Sequence, residues 1–307
     1  MRLGDWPGWE SLGIRDIPAE EAERMYADDE SRFMEVEGAR VHYKDEGVSG
    51  GPPLLMFHGT FASLHTWDGW VRELEDRYRL IRLDLPSFGL TGPLREGRFT
   101  VPRLVRLVDE FAGRLGLDSF HLAGSSLGGY FAWRYAAERP ERVDRLVLVD
   151  AAGYPMKLPP ILKFIGTPVL GESYRYFSPR FLVKANIKQV YADGGKVEEP
   201  VVDRYHRLML REGNRRSLME NLPRLSRFDD YPYVKSVRAT TLVMWGEEDS
   251  WVPPEIARKF MRDLPDAKLV TYPGVGHVPM EEIPHQSAAD VDEFLSAIAA
   301  HSSEKEA

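Results

Sequence analysis

The fold is decided by residues 120–129, which read Phe120-His121-Leu122-Ala123-Gly124-Ser125-Ser126-Leu127-Gly128-Gly129. An apolar strand pattern leads into the Gly-x-Ser-x-Gly motif at 124–128, and a helix pattern at 127–138 leads out of it. The glycines allow the strand and the helix to cross closely. The sharp turn strains the serine backbone and projects its hydroxyl above the sheet at a helix N-terminus. We therefore interpret Ser126 as a candidate nucleophile; the competing Ser125 lacks the symmetric glycines.

On both sides of this motif, strand and helix patterns alternate along the chain. Strands are predicted at 32–37, 40–45, 53–58, 79–84, 119–124, 145–150, 240–245 and 268–272. Helices are predicted at 19–28, 67–77, 101–115, 127–138, 254–263 and 286–300. The alternation predicts an α/β fold with a mostly parallel central sheet and helices on both faces. The first two strands, joined at Gly38, predict a leading hairpin.

The alternation stops between residues 154 and 238, where no clear strand pattern occurs. Helical patterns fill this segment at 161–170, 179–191 and 199–225. We interpret 154–238 as an inserted all-helical cap. It divides the α/β core into a first part, residues 1–153, and a second part, residues 239–307.

A serine hydroxyl needs a neighbouring base to act as a nucleophile at neutral pH, and the chain has eight histidines. In chains with this motif the acid follows the serine and the histidine follows the acid. His277 lies in a glycine-rich loop, Pro273-Gly274-Val275-Gly276-His277, between the last predicted strand and the last helix. We predict His277 as the base, because no other histidine occupies such a position.

The acid that orients the histidine is expected in the loop after the strand at 240–245. That loop reads Gly246-Glu247-Glu248-Asp249, and we choose Asp249. Glu247 and Glu248 are close rivals that we read as solvated loop charges. Asp150, at the end of another strand, is a more distant rival.

Two backbone N–H groups are expected to bind the oxyanion of a tetrahedral intermediate. One is that of Leu127, directly after the nucleophile. The other is that of Thr60 in the loop His58-Gly59-Thr60-Phe61, with Phe61 as second choice. We expect His58 to hold this loop in place.

Composition limits the partners that the chain can take. With 40 Lys and Arg against 48 Asp and Glu, the net charge is −8, which disfavours nucleic acid and anionic lipid. The chain has no cysteine and no H-E-x-x-H or similar metal spacing, and residues 124–129 do not fit the dinucleotide fingerprint, so we expect neither a metal nor another cofactor. No apolar run is long enough to span a bilayer. Either a monomer or a homodimer fits the sequence.

The first residues, Met1–Pro7, contain no apolar stretch typical of an export signal. We therefore expect a cytoplasmic protein. An export signal or anchor removed before Met1 would leave the same sequence, so this expectation applies to the chain as it stands.

With these motifs in order, the chain resembles the α/β-hydrolase superfamily over residues 32–300. The motifs are His58-Gly59-Thr60, Asp84-Leu85-Pro86-Ser87-Phe88-Gly89, Gly124-Ser125-Ser126-Leu127-Gly128-Gly129, Trp245-Gly246-Glu247-Glu248-Asp249 and Gly276-His277. The helical insertion resembles the cap domain of that superfamily, placed between the sixth and seventh strands. Ser87 is a departure, since many relatives carry glycine there. The aspartate nucleophile of haloalkane dehalogenases and epoxide hydrolases of this fold is replaced here by Ser126.

The resemblance leaves three hypotheses about function, because this fold hosts many reactions. The first is a carboxylesterase that cleaves small-molecule esters of short to medium acyl chain through an acyl-enzyme. The second is a carbon–carbon bond hydrolase of ring-fission diketo acids, which needs a cationic pocket. The cap contains Arg175, Arg180, Lys184 and Arg204, which we interpret as surface charges. The third is a ligand receptor on the same fold.

The apolar residues of the cap are candidates to line an acyl pocket, but we expect most of them to pack the cap onto the core. They are Leu158, Ile161, Leu162, Phe164, Ile165, Leu170, Tyr174, Tyr176 and Phe177.

Overall fold

A computed structural model of the chain describes residues 9–167, 170–225 and 227–297. The first eight residues, where the sequence shows no export signal, lie outside these ranges. None of the helices in the described ranges combines the length and the apolar character that crossing a membrane requires.

Eight strands form one sheet in the order β1-β2-β4-β3-β5-β6-β7-β8. They are β1 Arg32–Val36, β2 Ala39–Gly47, β3 Pro53–Phe57, β4 Arg79–Leu83, β5 Phe120–Ser125, β6 Val143–Val149, β7 Thr240–Gly246 and β8 Ala267–Tyr272. The strands from β4 to β8 in this order run parallel, while β1 and β2 form the predicted antiparallel hairpin. Every residue of β5 is buried, as continuous apolar strands of a covered parallel sheet require.

Helices surround this sheet and also fill the segment between β6 and β7. Those of the core are α1 Trp9–Leu12, α2 Ala19–Tyr26, α3 Asp68–Leu74, α4 Val101–Arg114, α5 Leu127–Glu138, α11 Glu255–Asp263, α12 Pro279–Glu282 and α13 Pro284–Ser296. Those of the insertion are α6 Pro160–Ile165, α7 Leu170–Tyr176, α8 Arg180–Val190, α9 Glu199–Leu210 and α10 Asn214–Leu225. Short 3₁₀ helices lie at Leu64–Trp67, Gly194–Lys196 and Tyr231–Ser236.

The core helices pack against each other and against the strands. Helix α3 packs against α13, where Trp70 Nε1 donates a hydrogen bond to Ser287 Oγ over 2.9 Å. Helix α4 packs against α5, and α11 packs against β7 and β8. The α/β-hydrolase architecture expected from the sequence is therefore confirmed.

The described residues of the insertion form helices and connecting loops, with no strand of the sheet among them, but the predicted helix at 199–225 is wrong. Two helices, α9 and α10, replace it, and the chain turns between them at Gly213, whose φ is +86°. The N-terminal segment occupies this break: Ile17 N–H donates to Leu210 O, and Glu212 N–H donates to Ile17 O. Helix α7 was not expected, and the predicted helix at 161–170 ends at Ile165.

Candidate active site

The turn between β5 and α5 holds Ser126 in a strained conformation, with φ +54° and ψ −118°. Strand and helix cross too closely for side chains, because a Cβ at Gly124 would lie 2.4 Å from the oxygen of Gly128. A Cβ at Gly128 would lie 2.3 Å from the oxygen of Phe57, at the end of β3. These contacts fix the serine above the carboxyl ends of the central strands, where ligands bind in α/β folds.

His277 and Asp249 form a buried hydrogen-bonded pair. The Nδ1 of His277 lies 2.7 Å from Oδ2 of Asp249. The other oxygen, Oδ1, accepts the N–H groups of Trp251 at 2.7 Å and Val252 at 3.0 Å. Asp249 is therefore held as an acceptor toward His277 by its own loop, which is the relation between an orienting acid and a base.

The histidine loop is also tied to the insertion. His277 N–H donates to the oxygen of Val190, the last residue of α8, over 2.7 Å. Ser250, next to Asp249, donates from Oγ to the oxygen of Gln189 over 3.0 Å. A displacement of the end of α8 would consequently move both the His277 loop and the Asp249 loop.

Ser126 and His277 line the same cavity. Within the described part of the chain, no hydrogen bond joins the Ser126 hydroxyl to His277; catalytic contacts of this kind are often longer in unliganded sites. Trp251 stacks on the imidazole with ring centroids 6.0 Å apart. The three candidate residues Ser126, His277 and Asp249 are thus brought together, and their catalytic roles remain predictions.

The rival acids differ sharply in environment. Glu247 and Glu248 are exposed, as expected of solvated charges. Asp150 is fully buried at the end of β6, where its Oδ1 accepts the N–H of Gly246 at 2.9 Å. Burial, and then the neighbouring Asp249 carboxylate, raise the pKa of Asp150 well above its ordinary value. Asp150 therefore lies buried beside Asp249, a closeness that the sequence did not reveal.

Asp150, Asp249 and His277 each place one potential metal-ligand atom within 4.8 Å of the others, and the described residues contain no second such group. The Asp249 and His277 atoms, however, lie at hydrogen-bond distance from each other. That spacing leaves no room for an ion between them. We interpret the cluster as a hydrogen-bonded array that orients the histidine.

The loop after β3 lies directly against Ser126, the candidate nucleophile. A Cβ at Gly59 would lie 2.9 Å from Cβ of Ser126, and Thr60 lines the cavity beside it. Leu127 is the first residue of α5, where helix N–H groups have no partner within the helix. Phe61, the second choice for the oxyanion hole, has a φ of +65° and also lines the cavity. The assignment of Thr60 and Leu127 remains a prediction.

Asp84 holds the loops beneath the site together. Its carboxylate accepts hydrogen bonds from His42 Nδ1 at 2.7 Å, Leu64 N–H at 2.7 Å and Leu90 N–H at 2.8 Å. His58 is a second structural link, because its Nδ1 contacts the oxygen of Gly59 and its Nε2 accepts the N–H of Leu85. Both residues therefore support the loop that carries Thr60.

We expect Asp84→Ala to lower the free energy of unfolding by about 3–5 kcal/mol, since it leaves buried donors without an acceptor. Burial alone would raise the pKa of Asp84, but the hydrogen bond from His42 holds it well below its ordinary 3.8. The stabilisation by the Asp84 carboxylate is therefore fully present above about pH 3.8, and it is lost as the pH falls from there toward the lowered pKa. Urea unfolding at pH 7 measures the effect, with the exposed Asp144→Ala as control. A loss under 1 kcal/mol would contradict it.

Two cavities meet at Ser126. The larger, with about 660 Å³ of empty space, reaches from Ser126 and His277 to Val183 and Ile187 of α8. The smaller, about 400 Å³, lies on the side of Leu127 and is lined by Leu162. An ester has two parts, an acyl group and an alcohol, and two cavities that share Ser126 offer a compartment for each.

The larger cavity is neutral, since no Lys, Arg, Asp or Glu among the described residues lines it. Behind its wall, Glu281 accepts hydrogen bonds from the hydroxyls of Thr66, Tyr191 and Tyr205. Burial and the Glu281 carboxylate raise the pKa of Tyr205, so its hydroxyl remains neutral. A carboxylate therefore lies behind this wall, hydrogen-bonded to Thr66 and Tyr205, which line the cavity.

The expected roles of the apolar insertion residues are met only in part. Ile161 and Tyr174 line the larger cavity, Leu158 and Leu162 line the smaller one, and Ile165 is buried. The expectation of packing is wrong for three residues whose side chains are exposed: Phe164 (38%), Tyr176 (59%) and Phe177 (48%). The side chain of Leu170 lies outside the described residues.

The four cations considered for a cationic pocket form ion pairs and line neither cavity. Arg175 pairs with Glu172, and Arg180 and Lys184 share Glu199. Arg204 lies 3.8 Å from Asp68. Their interpretation as structural and surface charges is thus consistent with the geometry.

Comparison with known proteins places this site in a family context. The family model described as the alpha/beta hydrolase fold matches residues 52–284. An uncharacterized hydrolase, YugF of Bacillus subtilis (strain 168), is 28% identical over 86% of this chain and 97% of its own length. A 2-hydroxy-6-oxononadienedioate/2-hydroxy-6-oxononatrienedioate hydrolase of Paraburkholderia phymatum is 28% identical over 78% of this chain and 84% of its own. The crystal structure of a membrane phospholipase A is similar with a TM-score of 0.72 and 26% identity, covering 88% of this chain and 86% of that one.

Proposed function

Because the chain belongs to the alpha/beta hydrolase family, we propose that it is a serine hydrolase that cleaves carboxylic esters of short to medium acyl chain. In this proposal Ser126 is the nucleophile, His277 the base and Asp249 the acid that orients it. The observation that carries the choice of substrate is the neutral cavity beside Ser126 and His277. An uncharged acyl group fits such a lining, whereas an anionic one would be buried without a cationic partner.

The proposed reaction proceeds through an acyl-enzyme. His277 Nε2 takes the proton of the Ser126 hydroxyl as its oxygen attacks the ester carbonyl, and the N–H groups of Thr60 and Leu127 bind the resulting oxyanion. The intermediate collapses, the bond to the alcohol breaks, and His277 protonates the leaving alkoxide. Water then attacks the acyl-enzyme with the same base, which releases the acid and restores the serine.

A similar protein supports ester cleavage as the reaction. The membrane phospholipase A that resembles this chain at 26% identity carries, by its name, an ester-hydrolysing activity. The two cavities at Ser126 offer one compartment for the acyl chain and one for the alcohol. We assign the acyl chain to the larger cavity, because it offers more room and extends to the apolar side chains of Val183 and Ile187.

A second candidate is favoured by other relatives. The Paraburkholderia phymatum protein and further relatives of 26–28% identity are named as hydrolases of 2-hydroxy-6-oxo dienoates, which undergo carbon–carbon bond cleavage. The dienedioate in that name carries two carboxylates. Binding such an anion calls for a cation at the cavity wall. The described residues that line the larger cavity include no cation, so we rank this reaction second.

The test is hydrolysis of p-nitrophenyl esters from acetate to palmitate, run beside a 2-hydroxy-6-oxo dienoate. We expect kcat/KM to peak at short or medium chains and to exceed that for the dienoate. Val183→Phe, in the larger cavity, should lower kcat/KM for octanoate relative to acetate by about 10–100-fold, since it fills space for a few methylenes. Leu162→Phe, in the smaller cavity, is the matched control and should leave this ratio nearly unchanged.

Two outcomes would contradict the proposal. If the dienoate is turned over much faster than every ester, the carbon–carbon hydrolase replaces the esterase. If Leu162→Phe changes the octanoate to acetate ratio and Val183→Phe does not, the acyl chain occupies the smaller cavity.

A further inference from the structure

Six exposed apolar side chains surround one contact between the N-terminal segment and the insertion. They are Leu12 (40%), Ile14 (37%), Tyr176 (59%), Phe177 (48%), Phe181 (65%) and Leu182 (45%). We call this set the Ser178 patch, since Ser178 lies at its centre. Ser178 N–H donates to the oxygen of Gly13 over 3.3 Å, and a Cβ at Gly13 would lie 2.1 Å from the oxygen of Ser178.

Each member of the patch is close to this contact along the chain. Leu12 and Ile14 flank Gly13, and the other four members lie within four residues of Ser178. Four residues span at most about 14 Å even when fully extended. Single exposed apolar residues are ordinary, but aromatic and aliphatic side chains clustered around one point mark an interaction surface.

The segment that carries four of the six patch residues is basic, although Glu199 and Asp203, just beyond it, pair with Arg180 and Lys184. Residues 155–190 contain six Lys or Arg and one Glu, a net +5 in a chain of net −8. Ion pairs occupy Arg175, Arg180 and Lys184. Exposed Lys163 and Lys188, by contrast, form no ion pair in the described residues.

These observations identify one kind of partner. Aromatic and aliphatic side chains bordered by free lysines are what an anionic lipid surface binds, with the rings entering the headgroup region and the lysines meeting its negative potential. A contact with a second copy of the chain is an outcome that the test below distinguishes. We propose that the Ser178 patch docks this protein on an anionic lipid surface.

Helix α8 connects this surface to the site. Phe181 and Leu182 are exposed at its start, while Val183 and Ile187 line the larger cavity. A bound lipid surface would therefore lie about one helix diameter, ~10 Å, from the cavity. The net charge of the whole chain disfavours anionic lipid, and the local reversal at the insertion is what overrides it.

The experiment is flotation of the full chain with vesicles of phosphatidylcholine alone or mixed with 30% phosphatidylglycerol, a composition chosen at roughly physiological anionic content. We expect at least about tenfold tighter binding to the anionic vesicles, reduced in 0.5 M salt because charges are screened. Phe181→Ser/Leu182→Ser and Lys163→Glu/Lys188→Glu should each weaken binding by about tenfold or more.

The matched controls carry the same changes elsewhere on the surface. Val48→Ser alters an exposed apolar residue away from the patch, and Arg72→Glu/Arg98→Glu reverses two exposed cations. Both should bind like the unchanged chain. Hydrolysis of soluble p-nitrophenyl butyrate is measured in parallel and should be equal in all variants, so that a failure of docking and a failure of the proposed esterase are separate results.

Three results would overturn the docking proposal. One is that the unchanged chain floats with neither kind of vesicle. Another is equal binding by the patch variants and the controls. The third is a dimer, seen by light scattering, that the patch variants break, which would make the patch a contact between copies.

Discussion

Replacing Ser126 with alanine should lower kcat for p-nitrophenyl butyrate by about 10⁶-fold, because no other group in the site can form the acyl-enzyme. Substrate binding should persist, since the cavity lining and the proposed oxyanion donors are unchanged. The remaining activity, expected to be about 10³–10⁴-fold above the uncatalysed rate in water, comes from those donors and from substrate binding. The fold should tolerate the change, as alanine removes only the hydroxyl from a side chain that is 9% exposed.

The matched control is Ser125→Ala, at the neighbouring serine. Ser125 also lines the larger cavity, but it belongs to β5 and lacks the strained turn of Ser126. It should keep kcat within about tenfold, as substitutions outside the reacting atoms typically do. Mass spectrometry after a fluorophosphonate probe should show one adduct, at Ser126. If Ser126→Ala keeps most of its activity, or if the adduct forms at Ser125, the proposed nucleophile is wrong.

The accuracy of the sequence interpretation depended on how local each signal is. Helix α5 has the bounds predicted from the pattern, 127–138, because a strand, a glycine turn and an apolar helix follow each other without a gap. The hairpin at Gly38 was equally local, with two positive φ angles at Glu37 and Gly38. Signals of this kind need no knowledge of distant residues.

The insertion shows where such signals fail. The apolar period runs on through residues 199–225, yet the chain breaks at Gly213 because the N-terminal segment pairs with the break at Ile17. That partner lies almost two hundred residues away in the sequence. A glycine before Asn214 was the available local signal for a helix end. The exposure of Phe177 and Phe181 likewise depends on what packs nearby, which periodicity does not report.

The candidate site shows the same division. Order along the chain selected Ser126, Asp249 and His277, and the structure brings all three to one end of the sheet. Order could not show that Asp150 reaches Asp249, because Asp150 directly follows β6 and Asp249 lies in the loop after β7, about a hundred residues later. It also could not show the tie between His277 and Val190 of the insertion.

Asp249→Asn should lower kcat by about 10⁴-fold, because it would fix the histidine in the wrong tautomer. Oδ1 of Asp249 accepts the N–H groups of Trp251 and Val252, so an asparagine must place its carbonyl oxygen there. Its NH₂ group then faces Nδ1 of His277 and donates to it. The imidazole proton moves to Nε2, which can no longer accept the proton of Ser126.

Asp150→Asn is the matched substitution one strand away. Burial raises the pKa of Asp150, which favours its uncharged form, so an amide of the same shape is a mild change, and its oxygen can still accept the N–H of Gly246. We expect kcat within about tenfold of the unchanged chain, since no tautomer is altered. Both variants are compared by kcat for p-nitrophenyl butyrate and by thermal unfolding, which separates a catalytic loss from a folding loss. A 10⁴-fold loss in folded Asp150→Asn together with an active Asp249→Asn would transfer the orienting role to Asp150, because only the residue whose charge faces the imidazole can impose its tautomer.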